Sequence, residues 1–303
     1  MTSPSLKGHP ISIEEMPYEH VFTPPIRPCG DQLDDRSFIE RIFEGKLSAL
    51  IIRGMLSADQ LKYPVDTLTQ GGLSWGSPNQ GMRGGEIRTI GEAATPCFTA
   101  FTGPSSDRYL ESASHFERHH QTIFGDFDLV EHLSDTFSEL FEGRPATPPL
   151  FHSTSTASSS RHTSTWLPFN YRALDAGTQI YSHHDSHYRL PIYESLEDMY
   201  DRESVLSWFI TLQTPESGGA LTLYGLWGSD PDPPMLPTRF LDTDILERDY
   251  LKAPLDLESG DLVIFDSGRH VHRVTPVVGE TPRLTLGGFM TPNMQRTQLG
   301  FWS

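Results

Sequence analysis

The sequence predicts a mainly β protein with flanking helices (α+β), its strands arranged as a sandwich or jelly roll. Three observations lead there. Glycine and proline are frequent, 25 and 24 among 303 residues, a turn-rich composition foreign to a helical bundle. Helix-period patterns are confined to the first half of the chain. After Trp166, short β-rich runs alternate with turns at regular spacing, as paired short strands require.

Taken in order, residues 1–33 are rich in Pro and Gly and nearly aperiodic, and are expected to form an extended arm on the body. Residues 34–164 read as a helical and mixed region packing on the core. Within it, Phe38, Ile39, Ile42 and Phe43 share one helical face. Residues 49–54 read as a buried strand, and Ser57-Ala58-Asp59-Gln60 as a capping box opening a further helix. Gly, Ser and Asn crowd residues 70–85, which predicts a loop. Two helices are expected at about 106–124 and 127–141, the second stopped by Gly143. The run 153–164, mostly Ser and Thr, is of low complexity and reads as a loop facing solvent or substrate. Residues 165–303 form the expected core, with strands at 178–181, 205–213, 220–224, 262–265, 272–276 and 283–290. Two insertions, 190–203 and 228–253, interrupt it as candidate lids or rims.

The formal charge of −17 argues against nucleic acid and anionic membrane as partners, since both are met by a basic face. No apolar run reaches the ~20 residues of a membrane span, and the N-terminus lacks a signal-peptide core. Cys29 and Cys97 are far apart in unrelated contexts, neither a disulfide framework nor a zinc site, so a reducing, cytoplasmic setting is expected.

The chemistry is carried by two segments. His183 and Asp185 lie two apart, on one face of a strand, while His184 faces away. Downstream, His272 on a second strand completes two histidines and a carboxylate on one face of an octahedron, leaving three positions open for a bidentate co-substrate and O₂ at Fe(II). His270 is the rival for the distal position. Arg283, with Thr285 two residues on, is placed to clamp a carboxylate.

These residues resemble the signature of the Fe(II)/2-oxoglutarate dioxygenases, and their flanks the prolyl 4-hydroxylase-like branch. Gly177-Thr178-Gln179 precedes the first histidine. Gly218-Gly219-Ala220-Leu221-Thr222 lies mid-barrel, the Gly-Asp-Leu-Val-x-Phe pattern runs from Gly260 to Phe265, and His-x-Val-x-Pro-Val spans His272 to Val277. The resemblance covers residues 170–289. It departs in the long segment between Asp185 and His272 and in an arginine where several relatives use lysine.

The resemblance implies a double-stranded β-helix (jelly roll, cupin-like) core, iron on His183, Asp185 and His272, and 2-oxoglutarate anchored by Arg283, Thr285 and Gln179. It also implies O₂-dependent hydroxylation of an unactivated C–H bond of a small molecule, with release of succinate and CO₂. A halogenase of this type has Gly or Ala in place of Asp185, so the retained carboxylate points to hydroxylation. The alternatives are a hydroxylase of a protein- or carrier-bound residue and a non-catalytic metal- or ligand-binding jelly roll. No motif specifies substrate identity, regiochemistry or oligomeric state.

Other patterns have bland readings. His115 and His119 stand four apart, but Glu117 is misplaced for a zinc helix, so they read as a solvated face. Gly72-Leu73-Ser74-Trp75-Gly76 matches a nucleophile elbow without the helix that must follow it. Trp208 reads as core. His184 and His187 read as surface or rim, and Arg161, Arg172 and Arg189 as possible grips for a substrate carboxylate, with a solvated cation the default for each.

Overall fold

The computed structural model describes residues 6–22, 37–70, 73–76, 87–91, 106–151, 164–185, 196, 199–201 and 205–303. Most of the 70–85 loop, nearly all of the 153–164 run and most of the 190–203 insertion lie outside the described residues. So do Cys29, Cys97, Arg161, His187 and Arg189.

The first half contains β1 (Ile13–Pro17), α1 (Glu19–Phe22), α2 (Phe38–Phe43), β2 (Ala49–Arg53), α3 (Ala58–Thr69), β3 (Ile87–Ile90), α4 (Ser106–Phe124), α5 (Leu129–Leu140), β4 (Ala146–Thr147) and β5 (Leu150–Phe151). The helices begin where side chains satisfy their free amides. Ser57 and Gln60 close the expected capping box at α3, and Asp128 accepts from Glu131 N at 2.9 Å at α5, each such cap stabilising by about 1 kcal/mol. The supposed arm is not merely extended, because β1 pairs in parallel with β2.

The second half contains β6 (Ser164–Thr165), β7 (Asn170–Leu174), β8 (Ile180–His183), β9 (Leu206–Gln213), β10 (Ser217–Gly218), β11 (Leu221–Trp227), α6 (Thr243–Asp249), β12 (Lys252–Pro254), β13 (Leu262–Phe265), β14 (His270–Val274), β15 (Val277–Val278), β16 (Arg283–Pro292) and β17 (Leu299–Trp302). The strand expected at 178–181 starts two residues later, because Gly177 at φ +79° and the Thr178 N–H to Asp175 carbonyl bond make a turn there. The strand expected at 272–276 lies at 270–274.

Successive core strands are dealt to two sheets. The major sheet holds β7-β16-β9-β13, and the minor sheet holds β8-β14-β11-β12. This alternation is the winding of a double-stranded β-helix, and the chain has that fold. Beyond the core strands, β2 and β1 continue the major sheet on one side, and β3, pairing with β7, extends it on the other.

Period two sorts each major strand into two faces. In β9, Leu206, Trp208, Ile210 and Leu212 join a core with α2, α3 and α5, contributed to by Ile39, Leu61, Leu133, Phe137 and Phe301. On the opposite face, Ala49, Ile51, Val263 and Phe265 meet Leu221 and Leu223 of the minor sheet. The order is therefore helices, major sheet, minor sheet, and the space between the sheets is where the polar inward residues converge. The 228–253 insertion does not form a lid over this space. Its helix α6 buries Leu246 against Tyr224, Leu226 and Val271 on the outer face of the minor sheet.

Candidate active site

His183 ends β8 and His272 sits in β14, and the two are direct partners in the antiparallel register. Their rings lie 4.3 Å apart between centroids. Asp185 follows β8, and its backbone N–H donates to the Ser267 carbonyl at 2.8 Å. Its carboxylate oxygens stand 3.7 Å from His183 Nε2 and 3.9 Å from His272 Nε2. One ligand atom from each of the three lies within 4.8 Å of the others, a spacing that one metal ion can bridge.

The surroundings orient these atoms. Nδ1 of His183 bonds the Tyr181 carbonyl at 2.7 Å, and Nδ1 of His272 bonds the His270 carbonyl at 3.0 Å. Donation from Nδ1 orients both Nε2 atoms toward the shared point, the usual support behind metal-bound histidines. The Ser207 hydroxyl donates to Asp185 Oδ2 at 2.9 Å and lies 2.7 Å from the Ser267 hydroxyl. Burial lowers the His272 pKa, with the Asp185 charge opposing, so its imidazole is neutral and able to ligate around neutral pH. His270 does not join the cluster. Its Nδ1 is held by the Tyr224 carbonyl at 3.0 Å and its ring lies edge-on to Trp227.

Across the gap, the major sheet presents Arg283, Thr285 and Thr211. Thr285 pairs in register with Thr211 on β9 and with Arg172 on β7, so these side chains share a face. Arg283 is 5% exposed and has no acidic or hydrogen-bonding partner among the described residues. Burial and the neighbouring Arg172 push its pKa down to about 10. It remains protonated at neutral pH, and its guanidinium lies 4.9 Å from the Phe209 ring. The Thr211 hydroxyl is buried without a partner. A cavity of about 330 Å³, lined by Thr211, Gly219, Leu221 and Leu255, reaches Arg283. A buried cation and buried hydroxyls left unpaired are costly unless a ligand completes them.

The motif glycines serve this pocket. A Cβ on Gly219 would lie 3.0 Å from Arg283 Cδ at φ +65°, so that position keeps the arginine stem in place. Gly260, at φ +96°, brings its backbone against the Leu56 carbonyl, and the next residue, Asp261, accepts from Arg53 and from Gly54 N. That pair is structural.

Of the residues singled out from sequence, the structure brings together His183, Asp185 and His272, and places Arg283 and Thr285 on the facing sheet. Gln179 lies half-buried in the turn before β8 and makes no hydrogen bond. His184 turns away and packs against Gly228. His115 is exposed and His119 half-buried on α4, Ser74 is exposed, and Trp208 is core. Sequence reasoning missed Ser207 and Thr211, although the alternation of β9 puts both on its inward face. It took solvent as the default for Arg172 and a substrate grip as the alternative; Tyr171 and Ala173 face the helix-side core and leave Arg172 pointing inward.

A family model described as the carrier-protein-independent halogenase WelO5 matches residues 28–303. Among solved structures, an N-substituted L-amino acid dioxygenase from Burkholderia ambifaria AMMD is 13% identical, over 86% of this chain and 89% of that one, with TM-score 0.45. A Pseudomonas putida prolyl-4-hydroxylase is 14% identical, over 84% and 97%, with TM-score 0.38. HygX from Streptomyces hygroscopicus, with nickel, 2-oxoglutarate and hygromycin B bound, is 14% identical, over 82% and 86%, with TM-score 0.44. No curated protein matches the sequence. Among the described residues, no helix is long and apolar enough to cross a membrane. The family match spans nearly the whole chain: this protein belongs to the WelO5 family of carrier-protein-independent halogenases, within the Fe(II)/2-oxoglutarate-dependent oxygenase superfamily.

Proposed function

We propose that this chain hydroxylates an unactivated C–H bond of a small molecule, using Fe(II), 2-oxoglutarate and O₂. The observation that carries the reading is the third ligand. Asp185 stands with its carboxylate beside both Nε2 atoms, although the family is named for halogenases. A facial triad leaves three positions at an octahedral ion. With 2-oxoglutarate and O₂ taking those positions, an iron held by His183, Asp185 and His272 would have no place for a halide.

The residues fit the group. His183, Asp185 and His272 would hold the iron, Ser207 would fix the carboxylate, and Arg283 with Thr285 and Thr211 would take the distal carboxylate of 2-oxoglutarate. Bound there, iron and 2-oxoglutarate together supply the oxidant for a C–H bond, with succinate and CO₂ as co-products. The chain's own part is to orient both carboxylates, keep His272 neutral by burial and exclude water between the sheets. The family's description as carrier-independent favours a free small molecule over a carrier-bound one.

The test is an anaerobic titration of metal-free protein with Fe(II) and then 2-oxoglutarate, following the visible charge-transfer band of the chelate. The band should appear, be lost in His272→Ala, be weakened in Arg283→Ala, and be unmoved by added chloride or bromide. Absence of a band at saturation would sink the triad assignment. A band shifted by halide would favour the second reading, halogen transfer, which the family match supports. Succinate release in air separates either from a binding protein that does not turn over.

A further inference from the structure

Arg172 is a second, half-buried guanidinium on the same inward face of the major sheet, and the proposed reaction gives it nothing to do. On β7 it lies opposite Thr285 of β16 and Thr89 of β3. Arg283 is two residues before Thr285 on the same inward face, so the two arginines are diagonal neighbours across one antiparallel pair. Diagonal neighbours on a sheet stand roughly 7–8 Å apart at most, within reach of long side chains. Each registers the charge of its surroundings: Arg172 lowers the Arg283 pKa, and Asp185 acts on Arg172.

The Arg172 side chain is anchored by its inner nitrogen. Nε donates to Asn170 Oδ1 at 3.0 Å, and Asn170 is itself fully buried. The two terminal nitrogens have no partner among the described residues. The other buried carboxylates are committed elsewhere, Asp261 to Arg53 at 2.6 Å and Asp266 to Arg269 at 3.1 Å. An arginine fixed by Nε with both terminal nitrogens free presents the fork that binds a carboxylate bidentately.

Charge leads to the same place. With iron and 2-oxoglutarate bound, a divalent ion and two guanidiniums face the Asp185 carboxylate and the two carboxylates of the co-substrate. Among these groups one positive charge would be left over; Asp256 and Glu258 line the cavity at Arg283, whereas Arg172 has no ion-pair partner among the described residues, and an unmatched charge away from water is disfavoured. Two cations this close also repel each other unless anions separate them.

Building on the Fe(II)/2-oxoglutarate reading, we propose that the substrate carries a carboxylate and that Arg172, held by Asn170, is the residue that binds it beside the metal. The substrate class is then an organic monocarboxylate, held by its acid group so that a neighbouring C–H bond would face the iron. Arg283 serves the co-substrate and Arg172 the substrate, which is why one pocket holds two arginines.

The experiment uses the full chain loaded with Zn(II), a metal that undergoes no redox chemistry, with trifluoroacetate as the carboxylate probe followed by ¹⁹F NMR. In the presence of saturating 2-oxoglutarate, trifluoroacetate should bind saturably to the parent. Binding should weaken about tenfold or more in Arg172→Gln, the loss expected for one charge-assisted hydrogen-bonded pair. Arg172→Lys should bind with intermediate affinity, and the melting temperature of both variants should hold. Affinity for 2-oxoglutarate, measured by calorimetry, should be unchanged in Arg172→Gln and lost in Arg283→Gln. The proposal is overturned by the absence of a trifluoroacetate site in the parent, by trifluoroacetate binding that Arg172→Gln leaves unchanged, or by a loss of 2-oxoglutarate affinity in Arg172→Gln matching that in Arg283→Gln. The last would make Arg172 a co-substrate ligand. If the parent binds no 2-oxoglutarate at all, the underlying oxygenase reading fails and takes this inference with it. Inorganic phosphate, run in parallel, should bind more weakly than the carboxylate; the reverse order would replace the substrate class with phosphate esters and overturn it as stated.

Discussion

The two faces of the major sheet come from the same strands and have opposite chemistry. Along β9 the side chains of Leu206, Trp208, Ile210 and Leu212 enter the helix-side core, while Ser207, Phe209 and Thr211 enter the space between the sheets. Along β16, Leu284 and Leu286 face the helices, and Arg283 and Thr285 face the metal ligands. The helix side is held together by apolar groups packing on apolar groups, although the buried Tyr171 hydroxyl there has no partner among the described residues. The inward side leaves a buried cation and buried hydroxyls unpaired, so its stability is lower than the same surface would have if it were apolar. A face that is finished without a ligand is made for folding, and one that is unfinished is made for binding.

The largest expected effect lies on the finished face. Trp208 is 1% exposed, meets Phe137 at 5.1 Å and Phe301 at 6.1 Å between ring centroids, and donates from Nε1 to the Phe289 carbonyl at 3.1 Å. Trp208→Ala should cost about 3–5 kcal/mol in denaturant unfolding through loss of burial and the cavity left behind. A cost below about 1 kcal/mol would mean that the helix layer is not the core the packing indicates.

The next effect has the opposite sign on stability. Arg283→Met removes a buried cation that no described residue pairs. Without 2-oxoglutarate, the variant should be at least as stable as the parent, with a gain of up to about 1–4 kcal/mol, the range found when apolar residues replace buried ions. Affinity for 2-oxoglutarate should fall by about a hundredfold or more, as when a buried charge loses its partner. Denaturation and calorimetry on one sample read both. If stability falls instead, Arg283 has a structural partner and the two faces are less different than they look.

This division explains what the sequence made legible. Leu262-Val263-Ile264-Phe265 is buried on both faces and reads as a strand from its apolar run alone. The alternation in β16 likewise placed Arg283 and Thr285 together. The cluster of His183, Asp185 and His272 was legible because the spacing a metal ion demands is set by the ion's geometry and not by neighbours distant in the chain. The strands β1, β3 and β7 were not. Each is four or five residues long, and what makes it a strand is a partner supplied by tertiary structure: β2 for β1, β7 for β3, β16 for β7. Arg172 was weighted toward solvent for the same reason. In Asn170-Tyr171-Arg172-Ala173-Leu174 a polar residue flanked by mixed ones looks like a solvated loop until the register shows which face is inward. Ser207 and Ser267 were invisible as helpers because they reach Asp185 only once β9 and the loop after β13 are brought together.

The smallest effect concerns that last contact, one residue away from Trp208 and on the other face. The Ser207 hydroxyl donates to Asp185 Oδ2 and stands within bonding distance of the Ser267 hydroxyl. Ser207→Ala should change unfolding stability by no more than about 1 kcal/mol, the net value of one hydrogen bond. It should nevertheless weaken metal binding by about tenfold, the lower end of what loss of a support behind a ligand costs. Ser267 is left to turn toward the carboxylate and limits the damage. Competition with a chelator for Zn(II) measures the affinity, and the same protein in urea measures the stability. Trp208 and Ser207 are adjacent in sequence, so a reversal of their outcomes would mean that β9 is rotated by one residue and its faces are exchanged. That register error would also turn Thr211 away from Arg283, so this small effect tests the placement of the whole pocket.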